Sequence, residues 1–167
     1  VMNRYTGWKV LQWFLDDPSR QSYVKQLARE LDVSSGSASR LLLELHEAGI
    51  LSKRSEANAL FYSLDHDNII TRELKRLNTM IRLKESLGVE DFLKKDDAII
   101  TMVLYGSFAS GENQGYSDVD LLIITAGGNR DHTSTLKRIE KLFKAEASLI
   151  VYSLSQWQKL KKEDHNF

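Results

Sequence analysis

The chain's 167 residues, 42% apolar and 28% charged, have a globular composition that fits one ordinary domain or two small ones and excludes wholesale disorder. With 23 basic and 23 acidic side chains a uniformly basic nucleic-acid coat is excluded, and with no cysteine so are disulfides, thiol nucleophiles and Cys-ligated zinc, a pattern that suits a cytoplasmic protein. No apolar run approaches ~18 residues and the opening VMNRYTGWKV carries early charges, so neither a membrane helix nor a signal peptide is expected.

Three stretches follow from the patterning. Residues 1–64 read as helices ending in a small hairpin, 65–97 as a long amphipathic helix and a charged connection, and 98–167 as alternating strand and helix. Basic and acidic residues stay within one charge of balance in each. A first helix is expected from Arg4 to Leu15, apolar over much of its circumference through Trp8, Leu11, Trp13, Phe14 and Leu15, and stopped by Pro18. Ser22 is a plausible N-cap for a second helix reaching Leu31, with Val24, Leu27, Ala28 and Leu31 as its stripe. After the turn at Asp32 and Val33, Ser34 or Ser35 caps a third helix running to Ala48, with Ala38, Leu41, Leu42 and Leu45 inward. Gly49 stands where a helix end wants a left-handed residue. Leu51 to Leu64 alternates around a polar tip at residues 55–58, which reads as a hairpin.

Two short helices joined tightly, a serine-rich helix and a basic hairpin resemble a winged helix-turn-helix domain over residues 4–64. The resemblance rests on VKQLARELDVSSGSASRLLLELHEAGIL and on the wing SKRSEANALFYSL. It implies double-stranded DNA as partner, with Ser35, Ser37, Ser39 and Arg40 on the groove-facing helix and Lys53 and Arg54 at the wing. Small hydroxyl residues let a helix sit deep in a major groove, and a helix N-terminus suits a phosphate. The alternative is that the serines cap and solubilise the helix and that the cations are ordinary surface.

The next helix, expected from Asn68 to Leu87, places Ile70, Leu74, Leu77 and Ile81 on one stripe. Packing on the following domain is the expected use of that stripe, and a homodimer seam is the alternative. Val89 to Asp97 is a charged connection with a possible helical turn at Phe92–Leu93.

The chemistry-bearing motif is AIITMVLYGSFASGENQGYSDVDLLIIT, residues 98–125. An apolar strand runs into Gly106-Ser107, ten residues separate Ser107 from Asp118, and a second apolar strand opens with Asp118-Val119-Asp120. Residues two apart on a strand share a side, so the two carboxylates project together while Val119 enters the core. Paired carboxylates repel and need a hard cation such as Mg²⁺, which is usually completed by water and phosphate oxygens. Gly106 lets backbone approach a phosphate, and Ser107 can offer its hydroxyl and the following N–H groups.

This pattern resembles the DNA polymerase beta-like nucleotidyltransferase superfamily, within it the minimal nucleotidyltransferases, over residues 98–152. The whole chain is then α+β: a winged helix-turn-helix (1–64), a linking amphipathic helix (65–97) and a small nucleotidyltransferase α/β domain with a mixed sheet (98–167). The resemblance implies ATP or another NTP as substrate, two Mg²⁺ (or Mn²⁺) ions ~4 Å apart between Asp118 and Asp120, a triphosphate held by Gly106 and Ser107, and a hydroxyl acceptor, plausibly on a protein. Two positions depart from the family. Phe108 and Ser110 stand where arginines are common. The position of the third carboxylate, on the strand Ala147–Tyr152, is taken by Ser148, with Glu146 the nearest acid. Either Glu146 substitutes, or the catalytic ion is poorly held, or the domain binds nucleotide as a sensor without turnover. His46, His66, His132 and His165 show no ligand spacing. Thr135 to Lys144 is expected to be an amphipathic helix with Leu136, Ile139, Leu142 and Phe143 inward.

Overall fold

The computed structural model describes residues 5–56, 58–87, 98–127 and 132–163. Its described elements run α1 (Thr6–Leu15), β1 (Gln21–Ser22), α2 (Val24–Leu31), α3 (Ser35–Glu47), β2 (Leu51–Glu56), β3 (Ala59–Leu64), α4 (Ile69–Leu87), β4 (Ile99–Tyr105), α5 (Gly106–Ser110), β5 (Val119–Thr125), α6 (Thr133–Phe143), β6 (Ala147–Ser153) and α7 (Leu154–Glu163). They group into two compact units, Val1–Asn78 with Gly111–Gly115, and Thr79–Ser110 with Tyr116–Phe167. The expected start of the first helix at Arg4, the connection Val89–Asp97 with its Phe92–Leu93 turn, and His165 lie outside the described residues. Among the described residues no helix is long and apolar enough to cross a membrane.

In the first unit, α1 to α3 close over one core of Val10, Leu11, Phe14, Leu15, Leu27, Leu41, Leu42, Leu51, Tyr62 and Leu64. Phe14 is fully buried, and Trp8 and Trp13 pack at the rim, so α1 is covered on several sides as its composition demands. Ser22 does not cap α2. It lies in β1, fully buried and paired with Tyr62, and α2 begins behind Tyr23 without a side-chain cap. A short strand completing a three-stranded sheet β1-β3-β2 satisfies that backbone instead. Ser34 is the N-cap of α3, accepting from the Ser37 N–H at 3.1 Å. Gly49 takes the left-handed conformation after α3 (φ +73°). The hairpin is tighter than expected: Glu56 pairs with Ala59, so Ser55 and Glu56 belong to the strand, and Asn58 turns the chain with φ +64°.

Helix α4 departs most from its expected packing. Its N-terminus is held by Asn68, whose Oδ1 accepts from the Ile70 N–H at 2.8 Å. Thr71, Lys75, Asn78 and Thr79 are buried, whereas Ile70 and Leu77 of the expected inward stripe are 52% and 47% exposed. Leu74 does pack on the first unit's core. The buried polar side is supported by specific bonds, including Thr71 Oγ1 to the Ile50 carbonyl and Asn78 Nδ2 to Asp16 Oδ1 at 3.0 Å. The segment Gly111–Gly115 groups with this first unit. Glu112 pairs with Arg72 at 3.6 Å, and Gly111 (φ +76°) lies so close to the Arg72 carbonyl that a Cβ would come within 2.2 Å of it.

In the second unit the sheet order is β4-β5-β6, with β4 antiparallel and β6 parallel to β5. It is a mixed sheet, as expected. The parallel pair needs a crossover, and α6 supplies it. Phe108, Val119, Leu121, Ile139 and Phe143 form the core with Leu83, and Phe108 meets Phe143 edge-on at 5.2 Å between ring centroids. Ile139 and Phe143 face inward from α6 as its periodicity predicts, and Lys144 ends that helix in the left-handed region (φ +54°).

Candidate functional site

The antiparallel register sets Tyr105 opposite Asp120, so the end of β4 and the start of β5 meet where the chain turns into α5. Gly106 makes that turn with φ +68°. A Cβ there would fall 2.2 Å from Asp120 Oδ2, so only glycine allows the carboxylate to lie against this backbone. On the other side β6 is paired in parallel, Asp120 beside Ser148, and the Ser148 hydroxyl donates to Asp120 Oδ1 at 2.7 Å. Such a short bond to a carboxylate is charge-assisted and fixes its rotamer. One oxygen of Asp120 is therefore engaged by β6 and the other is presented at the Gly106 turn.

Asp118 stands one residue ahead of β5 and is exposed. Val119 between the two acids is fully buried, so both acids leave the strand away from the core. Val119 N–H donates to the Glu146 carbonyl at 2.8 Å, which places Glu146 just before β6, in line with Asp118. Among the described residues no group of three or more His, Cys, Asp or Glu side chains is arranged to hold a metal. The β6 residue set beside Asp120 is Ser148. Ser107 is half-buried at the first turn of α5, and its carbonyl accepts from Ser110 Oγ at 3.3 Å. Phe108, at one of the positions where arginine is common in the resembling family, is a core side chain, 6% exposed, and offers nothing to a phosphate. The sequence alone left Ser148 as a gap in a pattern. Its hydrogen bond to Asp120 depends on strand register, which spacing does not reveal.

Asp118 and Asp120 at the start of β5, with the Ser148 hydroxyl on Asp120, all offer hard oxygens. That fits one Mg²⁺ or Mn²⁺ completed by water and phosphate oxygens, the way Mg²⁺ is usually held.

The residues expected to meet DNA are placed as follows. Ser35, Ser39 and Arg40 are exposed on α3, and Lys53 and Arg54 on β2. The Ser37 hydroxyl is tied to Ser34 Oγ at 2.9 Å. Arg40 pairs with Glu44 at 2.7 Å, and Arg54 pairs with Glu56 at 2.7 Å while also reaching Gln21. Both arginines are thus engaged by acids of their own element.

No curated protein and no solved structure matches this chain. Residues 88–165 match the family model of the nucleotidyltransferase domain, and nucleotidyl transfer is the general activity this match supports for that part of the chain.

Proposed function

We propose that this chain is a DNA-binding protein whose C-terminal part transfers a nucleotidyl group, AMP from ATP, to a hydroxyl acceptor on a protein. The observation that carries the reading is the contact of the Asp120 carboxylate with the Gly106 turn, where no side chain larger than hydrogen fits. It places an acid at the backbone bend that a triphosphate would use. Asp118 and Asp120 would hold Mg²⁺ or Mn²⁺, and Gly106 and Ser107 the phosphates. When bound, the cation would neutralise charge between carboxylates and phosphates and favour ionisation of the attacking hydroxyl. The chain's own work is positioning. Ser148 holds one oxygen of Asp120, the Gly106 turn brings backbone close, and the Ser107 hydroxyl is available to a phosphate oxygen.

The N-terminal unit reads as a winged helix-turn-helix. Support comes from the short α2–α3 connection, the Ser34 cap and the β2–β3 hairpin that follows α3. In this reading α3 enters a major groove and the hairpin meets neighbouring phosphates.

The test is incubation with labelled ATP, Mg²⁺ and cell extract. Transfer of label to protein is expected, and it is lost in Asp118→Asn with Asp120→Asn. Transfer that survives the double change overturns the assignment. One observation favours a second reading, a regulator that binds nucleotide as a sensor without turnover: Ser148, and no acid, lies beside Asp120. That reading predicts nucleotide binding by calorimetry, abolished by the same double change, with no label transferred.

A further inference from the structure

Helix α4 packs Leu74 and Leu83 inward but turns a second apolar stripe outward. Thr71, Lys75, Asn78 and Thr79 are buried, while Ile69, Ile70, Leu77 and Met80 are 73%, 52%, 47% and 60% exposed. Single exposed apolar side chains are ordinary on a protein surface. These lie in register. Counting along α4, Ile70, Glu73, Leu77, Met80, Lys84 and position 87 are separated alternately by three and four residues. That is the a/d repeat of a two-helix seam, with Ile69 and Ile81 at its flanks.

The charges in the repeat choose the direction. Two copies of α4 side by side and parallel would set Glu73 against Glu73 and Lys84 against Lys84, both repulsive. Turned antiparallel about a two-fold axis, each a position meets a d position of the other copy. Leu77 then lies opposite Met80, Glu73 opposite Lys84, and Ile70 opposite position 87, each twice by symmetry. Glu73 is 60% exposed and pairs with Arg76 of its own helix at 3.0 Å. An exposed pair of that kind contributes only a few tenths of a kcal/mol, so it does not hold Glu73 away from a second cation.

We propose that the exposed stripe of α4 is the seam of a homodimer. Two copies of α4 pack antiparallel in it, with Leu77 and Met80 forming the central layers and Glu73–Lys84 ion pairs closing both ends. The occupant is a second copy of this chain because the pattern complements itself in one direction only. The inference is independent of nucleotidyl transfer.

Sedimentation velocity of the full chain from roughly 1 to 100 µM tests it, a range that brackets micromolar affinity. A concentration-dependent monomer–dimer equilibrium is expected. Leu77→Glu with Met80→Glu gives a monomer throughout that range, with the thermal midpoint of the monomer unchanged because both side chains are exposed. Glu73→Lys alone and Lys84→Glu alone each weaken the dimer by roughly 10-fold or more, about 1.4 kcal/mol, and the two together restore it. A chain that stays monomeric at every concentration overturns the proposal. So does a dimer indifferent to Leu77→Glu with Met80→Glu, which assembles through another surface. Loss in the single charge changes without recovery in the pair overturns the antiparallel register.

Discussion

The Gly106–Asp120 corner and the α3–hairpin surface, the two places proposed to meet an anion, are held in opposite ways. At the corner, three strands bring residues distant in sequence into one register: Tyr105 opposite Asp120 on one side, Ser148 beside it on the other. Each partner constrains the next, and the glycine is obligatory because a Cβ would collide with the carboxylate. On α3 and the hairpin, the arginines are exposed and joined to acids of their own element. Surface pairs of that type are worth little and rearrange easily. The first arrangement is fixed by packing, so a single change should cost much. The second is a set of weak, replaceable contacts, so a single change should cost little and can even help.

The largest expected effect is at the turn. Gly106→Ala meets two penalties at once: a left-handed φ that alanine adopts poorly, and a Cβ driven onto Asp120 Oδ2. The carboxylate must leave its place or the turn must open. We expect nucleotide affinity to fall by roughly 100-fold or more, with a stability loss on the order of 1–3 kcal/mol, read by calorimetry and by thermal melting. Normal nucleotide binding by a folded Gly106→Ala protein would remove the distinction between the two surfaces.

How much of this was legible in the residues follows the same divide. Gly106, Ser107, Asp118 and Asp120 stand out by spacing because a tight turn and a pleat are local rules. Helix α3 and its Ser34 cap, the left-handed Gly49 and the alternating hairpin are local as well, and they appear close to where the pattern puts them. What failed required knowledge of partners. Ser22 has the composition of a cap but sits in a ladder with β3, because a distant strand needs its backbone. On α4, apolar and polar stripes repeat with the same period, so periodicity finds the faces without saying which is buried. Asn78 and Thr71 are inside because Asp16 and the Ile50 carbonyl await them, facts carried by other segments. Ser148 is placed where the pattern put it, beside Asp120, and only its hydrogen bond to that carboxylate needed the parallel pairing to be seen.

An intermediate effect is expected at Lys75, a cation of the first unit that is buried where Arg40 and Arg54 are exposed. It is 2% exposed, and burial, with Arg72 adding repulsion and Glu112 opposing it, pushes its amine down from 10.5 to about 8. Because the folded value lies below the unfolded one, the ammonium form opposes folding. Below pH about 8 the lysine is protonated in both states and the whole penalty is present. Between about 8 and 10.5 the unfolded chain binds more protons, so stability rises with pH, and above 10.5 the penalty is gone. Lys75→Met should therefore stabilise the protein at pH 7 by roughly 1–3 kcal/mol and flatten that rise. Urea unfolding at about pH 7 and about pH 9.5 checks both. A less stable variant at both pH values would mean that the amine's contacts outweigh its desolvation.

The smallest effect sharpens the contrast most, because its sign is the unusual one. Glu44 holds Arg40 at 2.7 Å on the face of α3 proposed to enter the groove. A phosphate or a base edge must compete with that carboxylate, and the carboxylate itself repels the DNA. Removing it should free the guanidinium at a cost to the helix of only ~0.3–0.5 kcal/mol, the usual worth of such a pair. Glu44→Ala is thus expected to tighten DNA binding by roughly two- to five-fold and to steepen its salt dependence, as one more cation becomes available to displace counterions. Lys53→Ala should do the reverse, lowering the salt slope by about one unit with little change in sequence preference, whereas Arg40→Ala should relax that preference. Fluorescence anisotropy at several salt concentrations separates these outcomes. Affinity that falls in Glu44→Ala would mean the Arg40–Glu44 pair acts as a unit in recognition. The surface of α3 would then be as tightly specified as the turn at Gly106.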